Sequence, residues 1–426
     1  MHVKKIRLIN YRGIEDLTVE FEAGVNLVIG NNGAGKSSLL GGISLALEAL
    51  LWGMGTDKRQ ITRDEVRAVP VLVGSVTESV RYYTPVRISS IFELDGVDYE
   101  TSHEYNESPK NNATVAKTDR NIRYDAINKI QELVNDEKSR LPLLSYLGDS
   151  RQFFTAADEP DRPGGQVERR QGYKDCLNGR ASVELIQNWC AQMDYAGYRL
   201  GHDAVEYVLF KNIVSRFIME LEGLDKARVE FSPKLNRLVY SENEGEGSLV
   251  HNLSAGYQSV LCLVMELAYR TALLNPSLDS LENLEGVVLI DEIDMHLHPR
   301  WQWKILGALR ATFPKVQFII ATHSPIVISS AEDSKLILME NPNKIRELPD
   351  AYGYNIGDVL ELTQGSMDMP QEVKEWRREI EQALDDNNLA GAERIIQISA
   401  DKLGEESSAV KRMRDFLEVN KWIAED

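Results

Sequence analysis

The stretch Gly30-Asn31-Asn32-Gly33-Ala34-Gly35-Lys36-Ser37 decides the fold of this 426-residue chain. It follows Val25 to Ile29, an apolar run typical of a buried parallel strand, and precedes a segment whose apolar residues recur every three or four positions. A G-x-x-x-x-G-K-S pattern between a strand and a helix predicts a loop whose backbone amides surround phosphate groups. We expect Lys36 to contact the β- and γ-phosphates of a nucleotide and Ser37 to bind Mg²⁺. The nucleotide-binding residues predicted in this loop are Asn31, Asn32, Gly33, Ala34, Gly35, Lys36, Ser37 and Ser38.

Two carboxylates follow a second predicted strand. Val287 to Ile290 is uniformly apolar, and Asp291 and Glu292 come directly after it. Ligands collect at the carboxyl ends of the strands in an open α/β sheet, so both side chains are expected near the phosphate-binding loop. Asp291 is predicted to hold Mg²⁺ directly or through water, and Glu292 to orient and deprotonate the attacking water. Many helices also begin with Asp-Glu, so this prediction depends on the loop.

The segment Asn252-Leu253-Ser254-Ala255-Gly256-Tyr257-Gln258 lies between the loop and the acidic strand. It resembles the LSGGQ signature of ABC-type ATPases, with alanine in place of the first glycine. That resemblance implies that Ser254, Ala255, Gly256 and Gln258 contact the γ-phosphate of ATP held by a partner subunit. Read alone, Leu-Ser-Ala-Gly is an ordinary helix N-cap. Its place before the acidic strand favours the signature.

Three other side chains are candidates for the same site. His323, in Ala-Thr-His-Ser-Pro after the strand Val316 to Ala321, resembles the switch histidine that contacts the γ-phosphate. Gln152 follows the strand Leu143 to Leu147 and resembles the glutamine that touches Mg²⁺ and the attacking water, with Arg151 as a rival. Arg12, in a predicted hairpin turn, resembles an arginine that SMC-, RecF- and Rad50-like heads place near the nucleotide. An exposed turn arginine is the competing account.

The order of these motifs resembles that of stand-alone ABC/SMC-like, AAA-type ATPases related to OLD, RecF and Rad50 proteins, over residues 1 to about 330. The tail is similar to that of the Septu (PtuA) and retron-associated ATPases of bacterial anti-phage systems. The implied fold is α/β: an ABC-type P-loop NTPase head with a mixed sheet, an antiparallel β lobe and a helical insertion, followed by a small helical region. We expect a head at 1–345, with the insertion at about 106–225, and C-terminal helices at 346–426.

The resemblance also implies partners. ATP and Mg²⁺ would bridge two copies of the chain in a composite site, and a separate HNH-type nuclease subunit would act as effector. The tail offers no strand-borne carboxylates of the kind that OLD nuclease domains use, so no nuclease activity is expected in this chain. The implied function is an ATP-hydrolysing switch that controls the nuclease.

Charge and composition limit the other function classes. The formal net charge of −18 disfavours tight nucleic-acid binding through the overall field. A local basic stripe for DNA contact is left open, its candidates being Lys4, Lys5, Arg7, Arg169 and Arg170, with solvated surface charge as the alternative. No apolar run is long enough to span a membrane, and we expect a cytoplasmic protein.

Cysteine and histidine spacing does not predict a metal centre. Cys176, Cys190 and Cys262 are odd in number and lack a CxxC pair, so neither a disulfide framework nor a zinc site is expected. His296 and His298 have no suitably spaced third ligand. They are expected to be structural, in the loop that follows Glu292.

Two rival functions remain at this level. A RecF-like, ATP-dependent DNA-repair clamp would share the motifs and bind duplex ends. A transporter nucleotide-binding subunit would normally have proline after the catalytic glutamate, where this chain has Ile293. The lack of a long heptad pattern disfavours an SMC or Rad50 coiled-coil arm.

Overall fold

The structure is a computed structural model that describes residues 1–52, 61–73, 76–105, 124–148, 168–181, 183–243, 247–364, 370–386 and 388–425. These residues form two compact units, Met1–Tyr354 and Asn355–Asp426. In the described part of the chain, no helix combines the length and apolar character that a membrane span requires. The predicted boundary at 345/346 falls inside a strand of the first unit.

The strands of the first unit are β1 (His2–Tyr11), β2 (Ile14–Glu20), β3 (Val25–Ile29), β4 (Ala68–Val73), β5 (Val76–Tyr82), β6 (Val86–Leu94), β7 (Val97–Tyr105), β8 (Leu143–Leu147), β9 (Ala227–Ser232), β10 (Arg237–Glu242), β11 (Ser248–Leu249), β12 (Glu285–Ile290), β13 (Lys315–Thr322), β14 (Ser334–Asn341) and β15 (Lys344–Leu348). Its helices are α1 (Lys36–Glu48), α2 (Tyr124–Asn135), α3 (Val183–Leu200), α4 (Val205–Glu222), α5 (Ala255–Leu274), α6 (Pro299–Gln302), α7 (Ile305–Thr312) and α8 (Pro325–Ser329).

The central sheet has six strands in the order β15-β14-β3-β13-β12-β8. All neighbouring pairs are parallel except β14 with β15. Strand β3 is buried along its whole length and β12 from Gly286 onwards, as is usual in parallel sheets, whose two faces are both covered. Asn26 is a buried polar residue in β3, and its side chain donates to the carbonyl oxygen of Glu22. The expectation of a mixed sheet is confirmed.

An antiparallel sheet, in the order β2-β1-β6-β7, forms the second layer. Strands β6 and β7 are joined at Asp95-Gly96, whose φ angles of 53° and 76° are those of a two-residue type I′ turn. Apolar residues of this sheet, such as Ile6 and Leu8, share one core with Leu40 and other residues of α1. The hairpins β1–β2 and β6–β7 therefore form the antiparallel lobe that the family resemblance implies.

The range 106–225, predicted as an insertion, contains a strand of the central sheet. Its residues 106–123 and 149–167 lie outside the described part. Between them the chain returns to the central sheet as β8, which pairs with β12. The helices α3 and α4 then pack beside α5, whose side chains are buried on nearly every face.

The second unit consists of α9 (Ile356–Gln364), α10 (Gln371–Asp385), α11 (Leu389–Leu403) and α12 (Ser408–Glu425). The last three pack around a small core made of Val373, Trp376, Ile380, Ala392, Ile396, Ala400, Val410, Met413 and Leu417. These are the helix faces expected from the three- and four-residue spacing of apolar side chains.

Candidate nucleotide site

Four parallel strands end at the same edge of the central sheet. Ile29 of β3 is in register with Thr322 of β13, and Ile290 of β12 is in register with both Ile320 and Leu147. The residues that follow these strands are the phosphate-binding loop, His323, the acidic pair and Gly148. The sequence motifs therefore meet at the carboxyl edge, where an open α/β sheet binds ligands.

The loop from Gly30 to Gly35 has the conformation that its glycines allow. A Cβ at Gly30 would lie 2.5 Å from the carbonyl oxygen of Met339, so no side chain fits there. Gly35 has φ of 102° and caps the N-terminus of α1. Asn31, Asn32, Gly33 and Ser37 are exposed, Ala34 is buried, and Gly35 and Ser38 are partly exposed. The loop thus presents backbone and a hydroxyl to solvent at a helix N-terminus.

The side chain of Lys36 lies under this loop. It is 7% exposed, and its Nζ donates to the carbonyl oxygens of Gly30, at 2.7 Å, and Asn31, at 3.2 Å. Burial lowers the pKa of Lys36, while the nearby carboxylates of Asp291, Glu292 and Asp294 act in the opposite direction. The ammonium group is therefore held between the loop and the acidic strand end.

The acidic pair occupies two different environments. Asp291 is 2% exposed, and its backbone amide donates to the carbonyl oxygen of Leu147 at 2.8 Å. Glu292 is partly exposed and has φ of 47°, a left-handed conformation uncommon for a residue with a side chain. That turn directs the chain away from the strand, and the amide of Ile293 donates to the carbonyl oxygen of Ala321.

Asp294 was not among the residues predicted for the site. Its Oδ1 accepts a hydrogen bond of 2.5 Å from Thr322 Oγ1, and its Oδ2 lies 3.6 Å from His323 Nε2. It also interacts electrostatically with Lys36. One carboxylate therefore links the loop after Glu292 to the end of β13 and to the predicted switch histidine, whose side chain is about half exposed. The only sequence signal for this role of Asp294 was its position two residues after Glu292.

The predicted signature forms the start of α5. Ser254 is the N-cap, its Oγ accepting from the amide of Tyr257 at 3.5 Å, and both Ser254 and Ala255 are exposed. Gln258 is buried, and its Nε2 donates to the carbonyl oxygens of His251 and Leu253 at 3.0 and 2.8 Å. In this structure Gln258 thus holds the turn before the helix.

The same turn packs against the loop after Glu292. A Cβ at Gly256 would lie 2.8 Å from the carbonyl oxygen of His296, and Ser259 Oγ donates to the carbonyl oxygen of Met295 at 3.4 Å. The ring of Tyr257 meets that of Trp301 edge-on, with centroids 4.7 Å apart. Gly256 therefore allows a close approach between the signature turn and the loop, a role that sequence reasoning did not assign to it.

Two protein families and several individual proteins are similar to this chain. Residues 5–193 match the family described as "AAA domain", and residues 205–329 match the one described as "AAA domain, putative AbiEii toxin, Type IV TA system". The chain is 24% identical over 420 residues to "Retron Vc95 probable ATPase" of Vibrio cholerae serotype O1 biovar El Tor, covering 86% of this chain and 79% of that protein. It is 22% identical over 399 residues to the Septu protein PtuA of Bacillus thuringiensis, covering 91% and 90%. The chain is a homologue of the retron ATPases and of PtuA.

A solved structure is similar at a lower level. The Smc head bound to the C-terminal winged-helix domain of ScpA is 14% identical, covers 82% of this chain and 98% of its own, and superposes with a TM-score of 0.49. The strand order and the matched AAA families, not this similarity, define the P-loop ATPase fold of this PtuA homologue. The expected fold class is confirmed.

Of the two remaining candidates, Arg12 is described by the structure and Gln152 is not. Arg12 has φ of 50°, and its guanidinium lies 3.3 Å from Glu65 Oε1. A Cβ at Gly41 would be 3.5 Å from Arg12 Nη1, so the arginine lies against α1, the helix that begins at Lys36. Gln152 and its rival Arg151 lie outside the described residues.

The two histidines of the loop after Glu292 have the structural surroundings expected of them. His298 is the N-cap of α6, and its Nδ1 accepts from the amide of Arg300 at 3.2 Å. His296 has φ of 63° and supplies the carbonyl that meets Gly256. Within the described ranges no group of three or more His, Cys, Asp or Glu side chains is arranged to hold a metal ion.

Four of the five cations in the candidate basic stripe are paired with carboxylates. Lys4 contacts two carboxylates, those of Glu93 and Asp98, at 2.9 and 2.6 Å. Lys5, Arg7 and Arg170 are each paired with one acidic side chain, at 2.8, 2.7 and 2.5 Å. Arg169 instead donates to the backbone carbonyl oxygens of Leu274, Asp136 and Ser139. The four paired cations therefore leave little excess positive charge for a phosphate backbone, and the N–H groups of Arg169 are engaged by backbone carbonyls.

Proposed function

We propose that this PtuA homologue is a Mg²⁺-dependent ATPase switch that dimerises through composite ATP sites and controls a partner effector nuclease in bacterial anti-phage defence. The observation that carries the proposal is the convergence of the phosphate-binding loop, the acidic pair and His323 at one sheet edge. The relatives named as retron ATPase and PtuA support the choice of system. Binding of a triphosphate would draw the Lys36 ammonium from the loop carbonyls to the β- and γ-phosphates.

The side chains present fit Mg²⁺ chemistry. The exposed Ser37 hydroxyl and the buried Asp291 carboxylate are oxygen donors, which Mg²⁺ prefers. Gln152 is a further proposed ligand. The bound ion would supply positive charge to offset that of the phosphates. Glu292 would accept a proton from the attacking water, and His323, held by Asp294, would contact the γ-phosphate.

The exposed start of α5 supports a composite site. The turn containing Gly256 is fixed against its own chain, whereas Ser254 and Ala255 face solvent at the N-terminus of a 20-residue helix. Such a terminus favours an anion. We assign its ligand as the γ-phosphate of ATP bound to a second copy, with each copy supplying one signature to the other.

Substituting Glu292 with glutamine tests both its role as general base and the formation of a composite site. The amide cannot accept the proton, so turnover should fall at least about 100-fold while ATP binding persists. In the presence of ATP, dimers of the variant should then accumulate and be detectable by size-exclusion chromatography with light scattering. Glu282→Gln, at an exposed position ahead of β12, is the matched control and should behave as the wild type.

Four results would count against the proposal, two from this variant and two from a nuclease assay. Unchanged turnover in Glu292→Gln would show that Glu292 is not the general base. A variant that binds ATP but stays monomeric would contradict the composite site. Control of a nuclease is tested by mixing the ATPase with an HNH-type chain. Cleavage of DNA that depends neither on ATP nor on Glu292 would contradict the switch, and cleavage by the ATPase alone would contradict its lack of nuclease activity.

A further inference from the structure

An arginine–tyrosine cluster lies around the two-stranded hairpin β4–β5. The guanidinium of Arg63 is 4.7 Å from the ring centroid of Tyr82, and its Nε donates to the Tyr82 hydroxyl at 2.6 Å. The guanidinium groups of Arg67 and Arg81 lie 4.5 and 5.2 Å from the centroid of a single ring, Tyr83. We refer to Arg63, Arg67, Arg81, Tyr82 and Tyr83 as the Arg–Tyr cluster. None of its members was a sequence candidate.

The cluster has fewer carboxylates than cations. Arg67 pairs with Glu15 at 2.7 Å, but neither Arg63 nor Arg81 has a carboxylate within ion-pair distance among the described residues. This differs from Lys4, Lys5 and Arg7, each of which contacts an acidic side chain. Two guanidinium groups beside one ring also repel each other, and a bound anion would relieve that repulsion.

The cluster is accessible and held in place. Arg81 is exposed, and the other four members are partly exposed. The amide of Arg67 donates to the carbonyl oxygen of Asn10, and the amide of Tyr83 donates to that of Arg67, each at 2.9 Å. These main-chain hydrogen bonds fix the backbone at Arg67 and Tyr83, and the guanidinium groups lie beside the tyrosine rings before any ligand arrives. Such pre-positioning reduces the entropy lost on binding.

We propose that the Arg–Tyr cluster binds single-stranded nucleic acid. Guanidinium groups hydrogen-bond phosphate oxygens, and both their planes and tyrosine rings stack on unpaired bases. A duplex offers phosphates but keeps its bases stacked inside. The net charge of −18 opposes long-range attraction, so binding depends on these local contacts and is weak and salt-sensitive.

Fluorescence anisotropy with a labelled oligothymidine of about 20 nucleotides tests the proposal. The double variant Arg63→Gln/Arg81→Gln should bind about tenfold more weakly than the wild type. Its plot of log affinity against log salt should be shallower by about 1.4, because two phosphate contacts are lost. Arg63→Lys/Arg81→Lys, which keeps the charge but not the plane, should be intermediate. The control Arg7→Gln/Arg87→Gln removes two arginines that have carboxylate partners, and should remain within about twofold of the wild type.

Three outcomes overturn the proposal: no binding by the wild type at micromolar concentration, equal weakening in the cluster and control variants, or competition by a duplex as strong as that by the single strand. Thermal melts should show that each variant is folded. The ATPase rate should be unchanged in the cluster variant, because none of its residues is assigned to the nucleotide site. Failure of this proposal is therefore distinguishable from failure of the ATPase proposal.

Discussion

His103 of β7 is a buried titratable residue with no role in the candidate site. It is 2% exposed, and neither ring nitrogen has a hydrogen-bond partner among the residues that the structure describes. Its ring meets that of Trp52 edge-on at 5.3 Å. Burial lowers the pKa of His103 to about 4. The folded protein therefore holds this imidazole in its neutral form.

This burial predicts a pH dependence of stability. The folded-state pKa lies below the unfolded value of about 6.5, so the unfolded chain binds the proton more tightly. The contribution of His103 is fully present above pH 6.5 and is lost as the pH falls towards 4. Between pH 7 and pH 5 the loss should be about 2 kcal/mol. His103→Phe should reduce that change in the free energy of unfolding, measured by urea denaturation at the two pH values, whereas exposed His202→Gln should not. Equal pH changes in wild type and His103→Phe would contradict the argument.

At the residue scale, sequence reasoning identified the side chains whose chemistry depends on local order. Lys36 and Asp291 could be predicted because each directly follows a loop or strand of recognisable pattern. Asp294 could not, because its contact with Thr322 depends on how the ends of β12 and β13 lie side by side. The position of Gly256 against the His296 carbonyl likewise results from packing between distant segments.

At the scale of elements, a buried arginine of α5 pairs with a glutamate of the same helix and also bonds the helix to another segment. Arg270 is 1% exposed, and its guanidinium contacts Glu266 at 2.5 Å. Its Nη1 also donates to the carbonyl oxygens of Gly172 and Lys174, at 2.8 and 3.0 Å. These contacts attach α5, which begins with the predicted signature, to the segment 172–174. A few residues later the chain lies beside the end of β8, where the amide of Gly148 donates to the carbonyl oxygen of Gly179.

Breaking this pair should destabilise the protein strongly. Arg270→Met leaves Glu266 buried without its cation and should cost about 3–5 kcal/mol in the free energy of unfolding. The double variant Glu266→Leu/Arg270→Met removes both charges and should recover a large part of that loss, although the two carbonyl contacts remain absent. Arg199→Met, at an exposed position on α3, is the control. Additive losses in the double-mutant cycle, measured by urea denaturation, would argue against a coupled pair.

Sequence patterns predicted the strands that have a regular apolar pattern of their own and missed those that are strands because of their pairing with other segments. The strands β3, β8, β12 and β13 are short, mostly apolar and almost entirely buried, as parallel strands are. Strands β4, β5, β14 and β15 were not predicted, and β14 is a strand of the central sheet because it pairs with β3. The segment from Pro299 to Thr312 forms two helices, α6 and α7, and nothing local in the sequence explains the break between them.

At the scale of the whole molecule, net charge bears on the proposed pairing of two copies. The sequence gives the total of −18 but not the surface that a partner would cover, because pairing depends on residues brought together by folding. The signature terminus at Ser254 is exposed, so the proposed dimer must bring two acidic molecules into contact. Their repulsion is long-ranged at low salt and is screened at high salt.

Salt should therefore strengthen the ATP-dependent dimer. In the Glu292→Gln variant with ATP, raising the salt concentration from about 50 to about 300 mM shortens the screening length to well under 10 Å, and the dimer dissociation constant should fall several-fold. Sedimentation velocity at matched ATP concentration measures this change. Binding of single-stranded nucleic acid to the Arg–Tyr cluster should weaken over the same range, because it releases counterions. The two equilibria thus respond to salt in opposite directions. A dimer that weakens as salt rises would mean that complementary surface charges, rather than phosphate contacts at the signature, dominate the interface.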